Sequence, residues 1–128
     1  MEIKNNKKIK IEVGSRFISE ESEHEESLFL FKYEVSIYNN TMNNIQLLNR
    51  HWKIFDALGN VRTVNGEGVI GQKPIINSGL SFSYSSFCPL KTEFGKMNGY
   101  YTFKDELTEE LFEIIIPEFS LITKKNIN

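Results

Sequence analysis

The stretch Phe29-Leu30-Phe31-Lys32-Tyr33-Glu34-Val35-Ser36-Ile37 decides the fold class of this chain. Every second residue in it is aromatic or β-branched, and the residues between are polar, with the exception of Leu30. Successive side chains of a β-strand point to opposite faces of the sheet, so the pattern predicts a long strand with one face in a hydrophobic core. An α-helix would require apolar residues every three or four positions instead.

The same alternation recurs along the chain, in residues 9–13, 48–54, 80–84, 101–103 and 112–116. Turn signals separate these segments, and among them Asn65-Gly66 and Asn98-Gly99 tolerate the positive φ angles of tight hairpins. No window has a helical apolar stripe, and the polar segment 104–110 suits a turn. The sequence therefore predicts an all-β, antiparallel sandwich of the immunoglobulin or fibronectin-III type, as one domain over residues 1–128, with a barrel as the alternative.

The composition indicates a cellular compartment and disfavours some classes of binding partner. The 128 residues include ten Phe, five Tyr and one Trp, enough aromatic surface for a core without disulfides. The single cysteine, Cys88, and the absence of a signal sequence at the start of the chain indicate a cytoplasmic protein. No apolar run reaches the ~20 residues of a membrane span, so no membrane insertion is expected. A net charge of −2 does not favour nucleic-acid binding.

The run Gly66-Glu67-Gly68-Val69-Ile70-Gly71 has the letters of a dinucleotide-binding motif, G-x-G-x-x-G. That motif binds a pyrophosphate where it leaves a strand and opens a helix. Pro74 follows soon after the last glycine, and no helical periodicity comes next. The run is therefore expected to be a glycine-rich β-connection, with a looser anion site made of backbone N–H groups left open.

Arg50-His51-Trp52 is the densest cluster of versatile side chains. Alternation places Arg50 on the core face together with Leu48, Trp52 and Ile54, and directs His51 to the opposite face. We expect Trp52 to be the central core aromatic and Arg50 to be satisfied by a carboxylate or carbonyls near the strand end. Arg50 and Trp52 are thus predicted to be structural.

Two other groups of residues carry side chains capable of chemistry. The acidic segment around His24, residues 19–27, is expected to be a solvated connection, with weak binding of divalent cations as the alternative and no defined metal ligands. Cys88 with His51 could form a nucleophile and base, but a lone cysteine in an aromatic strand is more often a small core residue. No catalytic residue and no cofactor are predicted.

Four stretches, residues 47–52, 56–59, 64–74 and 95–101, together with Ile116-Pro117-Glu118-Phe119, resemble the ApaG family in order and spacing. The resemblance implies a fibronectin-III-like sandwich and an association with cobalt and magnesium efflux or tolerance. Related domains in eukaryotic F-box proteins and in a polymerase-delta-interacting protein imply a protein-binding module. The chain departs from the family pattern at Asn49, where serine is common, and at Phe87, where a glycine is usual. A phenylalanine in place of that glycine could reshape the loop there, which weakens any binding role carried over from the family at Phe87.

Two functions from different classes follow. The first is a non-enzymatic module that binds a protein partner or a small anion, with His51, Gly66, Gly68 and Gly71 lining the recognition surface. The alternative is a phosphoanhydride-acting enzyme or metal-dependent factor that uses the glycine run and the acidic segment. The sequence favours the first, because acid and base residues are not gathered around a credible phosphate site.

Overall fold

The computed structural model describes residues 8–123, in which eight β-strands are joined by turns and by two short 3-10 helices. The strands are β1 (Ile9–Phe17), β2 (Phe29–Asn39), β3 (Ile45–Asp56), β4 (Val61–Glu67), β5 (Ile75–Ile76), β6 (Ser81–Leu90), β7 (Phe94–Asp105) and β8 (Leu111–Ile122). The 3-10 helices, Ser19–Glu21 and His24–Glu26, lie in the connection between β1 and β2. No helix within residues 8–123 is long and apolar enough to cross a membrane.

The strands form two sheets in which every pairing is antiparallel. One sheet has the order β1-β2-β6, and the other has the order β4-β3-β7-β8, with β5 also paired to β3. One hydrophobic core takes its residues from both sheets. The antiparallel sandwich predicted from the alternation is confirmed, and β4 and β5 are two strands that the alternation missed.

Strand β2 shows why the alternation was informative. Its odd-numbered residues from Phe29 to Asn39 are all buried, and the residues between them are half-buried or exposed. Phe31, Val35 and Ile37 are completely inaccessible. Removing each such side chain from water stabilises the fold by about 1.5–3 kcal/mol. β2 lies between β1 and β6, so both of its edges are also hydrogen-bonded.

The expected placement of Leu48 was wrong, because strand β3 contains a bulge. The register between β3 and β7 shifts between Leu47 and Asn49. Leu47 is completely buried, whereas Leu48 is only half-buried. One extra residue reverses the phase of a strand whose side chains alternate with period two. Residues after the bulge keep the predicted phase, so Trp52 and Ile54 are buried.

Phe87 does not lie in a loop, so no loop is reshaped at this position. Phe87 lies within β6, opposite Lys32, and the register between β2 and β6 runs unbroken past it. Its side chain is on the outer face of the three-stranded sheet and is 56% exposed. A side chain that points into solvent from a regular strand needs no change in the backbone.

Candidate functional site

Arg50 is held on the inner face of β3 by the end of strand β4. Its Nη1 donates hydrogen bonds to the carbonyl oxygens of Glu67, at 3.0 Å, and Gly68, at 2.9 Å. Gly66 lies opposite Arg50 in the β3–β4 register. A Cβ atom on Gly66 would lie 2.8 Å from three atoms of the Arg50 guanidinium group, so any side chain here would have to displace the end of the Arg50 side chain. Two backbone carbonyls therefore satisfy this inward-facing charge.

The rest of the glycine run forms a small hairpin. Gly68 has φ +63°, and its N–H donates to the carbonyl of Leu48 at 2.7 Å. Val69 and Gln72 exchange two backbone hydrogen bonds, of 2.8 and 2.9 Å. The two residues between them have φ values of 42° and 77°, the positive pair that a type I′ hairpin turn requires.

This geometry determines what the run can bind. The N–H groups of Gly68, Val69 and Gln72 already donate to backbone carbonyls, so these three are not directed at a ligand. The segment that follows is strand β5 rather than a helix. The run therefore ends a strand and makes a tight turn, and it lacks the helix N-terminus on which a dinucleotide motif places its pyrophosphate.

His51 projects from the opposite face of β3 and is fixed by three neighbours. Its Nδ1 lies 2.9 Å from Oδ1 of Asn65, and its Nε2 lies 3.3 Å from Oγ1 of Thr102. An amide oxygen only accepts, so Nδ1 carries the hydrogen in the neutral ring and the Thr102 hydroxyl donates to Nε2. The ring also stacks on Tyr100, with centroids 4.3 Å apart and planes inclined by 20°. This arrangement makes a rigid aromatic pair on the sheet surface.

The aromatic pair borders an open concavity of about 490 Å³ on the outer face of the larger sheet. Ile115 of β8 contributes an apolar side chain that is 61% exposed. Among residues 8–123, the ammonium group of Lys53 has no ion-pair partner. The lining residues are His51, Trp52, Lys53, Thr63, Asn65, Asn98, Gly99, Tyr100, Ile115 and Ile116.

The residues that the sequence grouped into one surface lie in two places. His51 lies in the concavity with Asn65 and Tyr100. Gly66 and Gly68 lie against Arg50, and none of Gly66, Gly68 and Gly71 lines the concavity. Gly99 does line it, and its Cβ would collide with the carbonyl oxygen of His51. Sequence reasoning missed Tyr100, because only the register between β3 and β7 brings it opposite His51.

A second polar group lies inside the sandwich and was also missed. The hydroxyl oxygens of Tyr84 and Tyr101 are 2.5 Å apart in the core. Burial raises the pKa of Tyr33, Tyr84 and Tyr101, and the positive charge of Arg50 opposes that rise. The sequence pattern treated all three as apolar alternating residues, and that pattern cannot show where a hydroxyl group finds its partner.

Cys88 and His51 are not brought together. Cys88 is buried in β6, and this burial raises the pKa of its thiol, although Nη2 of Arg62 lies 3.7 Å from the sulfur. His51 is on the outer face of the other sheet. In the acidic segment, Glu20 and Glu21 are exposed. Across residues 8–123, no three His, Cys, Asp or Glu side chains gather as metal ligands.

Two antiparallel sheets with a shared core, and a glycine hairpin closed around an inward arginine, define a β-sandwich domain of the fibronectin-III-like class. Residues 19–105 match the family model of the ApaG domain. The chain belongs to the ApaG family, as its motifs had indicated.

Relatives of known sequence and structure agree with this membership. Protein ApaG from Methylobacterium nodulans is 46% identical over 113 residues, which cover 88% of this chain and 86% of the relative. Protein ApaG from Brucella suis biovar 1 is 43% identical with the same coverage. The crystal structure of a candidate ApaA protein from Bordetella pertussis is similar with a TM-score of 0.88 and 34% identity, over 98% of this chain and 100% of that one.

Proposed function

We propose that this chain is a non-enzymatic binding module of the cytoplasm that recognises a protein partner through the outer face of sheet β4-β3-β7-β8. The observation that carries the proposal is the concavity of about 490 Å³ beside the stacked rings of His51 and Tyr100. Binding sites are commonly concave, mostly apolar and supplied with a few fixed polar groups. Here the polar groups include the side chains of Asn65 and Asn98.

The rigidity of the aromatic pair supports recognition of a protein. His51 is hydrogen-bonded at both ring nitrogens, so binding a partner costs it little conformational entropy. Aromatic side chains concentrate at the energetic centres of protein interfaces, because they bury a large area with few rotatable bonds. Ile115 extends the apolar part of this surface.

A small anion is the second ligand that we propose for this face. Lys53 lines the concavity, and no carboxylate within residues 8–123 pairs with it. The glycine run is less suited to this role, since the N–H groups of Gly68 and Val69 are occupied. The same occupancy weighs against the phosphoanhydride-acting enzyme. We include in the proposal the association with cobalt and magnesium tolerance that the family implies.

The test compares truncations of two outward-facing aromatic side chains on opposite sheets, the half-buried Tyr100 and the exposed Phe87. Tagged wild-type protein, Tyr100→Ala and the control Phe87→Ala are used to capture partners from the protein's own cells, and each is checked by thermal unfolding. We expect Tyr100→Ala to lose captured proteins while Phe87→Ala retains them, with both variants folded. Retention of every partner by Tyr100→Ala would contradict the proposed face. Gly68→Val is unsuitable as a probe, because its Cβ would collide with the carbonyl oxygen of Gln72.

For the anion, inorganic phosphate is titrated against wild-type protein and Lys53→Gln. We expect Lys53→Gln to weaken any saturable binding that the wild type shows. Equal binding by the two proteins would place the anion elsewhere.

A further inference from the structure

Strand β4 forms one edge of the larger sheet, and its hydrogen-bond pattern shows which backbone groups face away from β3. The N–H of Gly68 donates to Leu48, and the N–H of Asp56 donates to Asn60. With the observed register, these two bonds place Arg62, Val64 and Gly66 in the hydrogen-bonded pairs of the ladder. Residues 61, 63, 65 and 67 alternate with them, and their N–H and C=O groups are directed outward.

Most of those outward groups are free. The carbonyl of Glu67 accepts from Arg50. Within residues 8–123, the backbone N–H groups of Thr63, Asn65 and Glu67 and the carbonyls of Thr63 and Asn65 have no protein partner. Thr63 and Asn65 are also exposed. The edge of β4 thus presents free backbone donors and acceptors at every second residue, which is the spacing at which another β-strand pairs.

Apart from the two-residue β5, which pairs only with β3, the other three edge strands each have a protective feature, and this distinguishes β4. In β8, the three residue steps from Ile116 to Phe119 lie opposite the two steps from Gly99 to Met97, so a bulge that contains Pro117 interrupts that edge. In β6, the carbonyl of Pro89 accepts a hydrogen bond from Arg62 at 3.0 Å. Strand β1 lies beside β8, and Oγ of Ser15 donates to the carbonyl of Ser120.

Strand β4 has none of these protective features along its centre. It contains no proline, and its two charged residues are otherwise engaged. Arg62 reaches across to β6, and Glu67 forms an ion pair of 2.8 Å with Lys73. Exposed edges without proline, bulge or projecting charge are the edges that accept another strand.

From this arrangement we infer that the edge of β4 binds an extended peptide segment of a partner protein by β-strand addition. The inference rests on the proposed binding function and specifies the chemistry of the partner. Backbone hydrogen bonds to Thr63 and Asn65 provide the affinity, and alternate side chains provide the specificity. Peptide side chains on the inner side of the added strand lie beside Val64. Val64 is half-buried and packed on the core, so these peptide side chains are apolar. Those on the outer side lie beside Thr63 and Asn65 at the rim of the concavity and are polar.

A second copy of the chain fits this edge less well. Stable interfaces involve roughly 20–30 residues from each partner. Strand β4 has seven residues, so pairing with its own copy through this edge alone falls short of that size. Peptide segments that add a strand need only the backbone ladder and a few side-chain contacts.

The experiment selects binders from a displayed library of random twelve-residue peptides, and a recovered peptide is labelled with fluorescein as the probe. Its affinity is measured for wild-type protein, Thr63→Pro and the control Thr63→Ala. The N–H of Thr63 points away from β3, so proline removes an edge donor without breaking the β3–β4 ladder. We expect Thr63→Pro to weaken binding by roughly fivefold or more and Thr63→Ala by less than about twofold.

Methylation of the peptide backbone gives a readout that does not depend on any variant folding. Single N-methyl groups are placed at successive positions of the probe, and each peptide is titrated against the wild-type protein. Strand addition predicts that methylation at alternate positions abolishes binding, because only every second N–H faces β4. A scan without this period of two would overturn the inference.

The remaining outcomes separate the inference from the proposed function. Binding that is lost in Tyr100→Ala but kept in Thr63→Pro would support the proposed binding function and contradict strand addition at β4. Recovery of no peptide, alongside partners captured through Tyr100, would reject the edge in the same way. A dimer detected by analytical ultracentrifugation and absent in Thr63→Pro would show that a second copy, rather than a peptide, occupies β4.

Discussion

The buried tyrosine pair allows one prediction to be worked out in detail. Replacing Tyr101 by phenylalanine keeps the ring in the core and removes only the hydroxyl group that lies 2.5 Å from the hydroxyl of Tyr84. No cavity larger than one oxygen atom results, so the cost arises from the group left behind. The hydroxyl of Tyr84 then has no partner in a site from which water is excluded. We expect Tyr101→Phe to lower the free energy of unfolding by about 1–3 kcal/mol.

The double variant distinguishes this explanation from a general loss of packing. With both Tyr84→Phe and Tyr101→Phe, no buried hydroxyl remains unpaired, and two phenylalanine rings of the same shape occupy the core. We expect the double variant to be nearer the wild type than the sum of the two single variants predicts. The difference from additivity measures the coupling between the hydroxyl groups, and it should reach ~0.5–3 kcal/mol for residues in contact.

Urea unfolding monitored by the fluorescence of Trp52 measures all four proteins. Trp52 is the single tryptophan, is 2% exposed, and has its ring centroid 6.2 Å from that of Tyr101. Tyr100→Phe is the control, because the Tyr100 hydroxyl has no hydrogen bond to the part of the chain that the structure describes, and its loss should change stability by less than about 0.5 kcal/mol. Additive losses in the double variant, or single variants as stable as the control, would refute the reasoning.

Two further predictions concern the glycine hairpin and the response to pH. Gly68→Ala should destabilise the protein more than Gly71→Ala in the same unfolding assay, because both residues have positive φ but only at Gly68 would a Cβ collide with a backbone carbonyl, that of Gln72. Equal losses would show that φ alone sets the cost. Burial raises the pKa of Tyr33, Tyr84 and Tyr101 above the ordinary value of 10.0. Above about pH 10 the unfolded chain therefore binds fewer protons than the folded one, and stability should fall by up to ~1.4 kcal/mol per pH unit for each tyrosine. The Tyr84→Phe/Tyr101→Phe variant should show a shallower fall than the wild type, and an equal slope would contradict this assignment.

The fold could be predicted because burial in a sandwich is encoded locally. Along β2, whether a side chain faces core or solvent depends only on its position in the alternation. The order of apolar and polar residues in 29–37 was therefore enough to predict the strand and its buried face. Strand β4 was missed for the same reason. All of its residues are exposed or half-buried, so Val61–Glu67 has no apolar face to reveal it.

The candidate site could be predicted only in part, because its neighbours come from different strands. The sequence indicated that Arg50 and His51 point to opposite faces of β3. It could not show that the glycines accompany Arg50 while Tyr100 accompanies His51, since both contacts depend on the pairing of β3 with β4 and β7. The bulge at Leu48 illustrates the same limit, because one unpaired residue is invisible to a pattern that assumes regular alternation.

By itself, the sequence determined that this chain is an antiparallel β-sandwich, that it belongs to the ApaG family, and that Trp52 lies in the core. These properties follow from periodicity and from motifs of adjacent residues, which the chain carries in its linear order. Only the tertiary structure decided that Tyr84 meets Tyr101, that His51 stacks on Tyr100, and that the edge of β4 is left unpaired. Such contacts depend on strand order and register, which are set by the simultaneous packing of residues far apart in the chain.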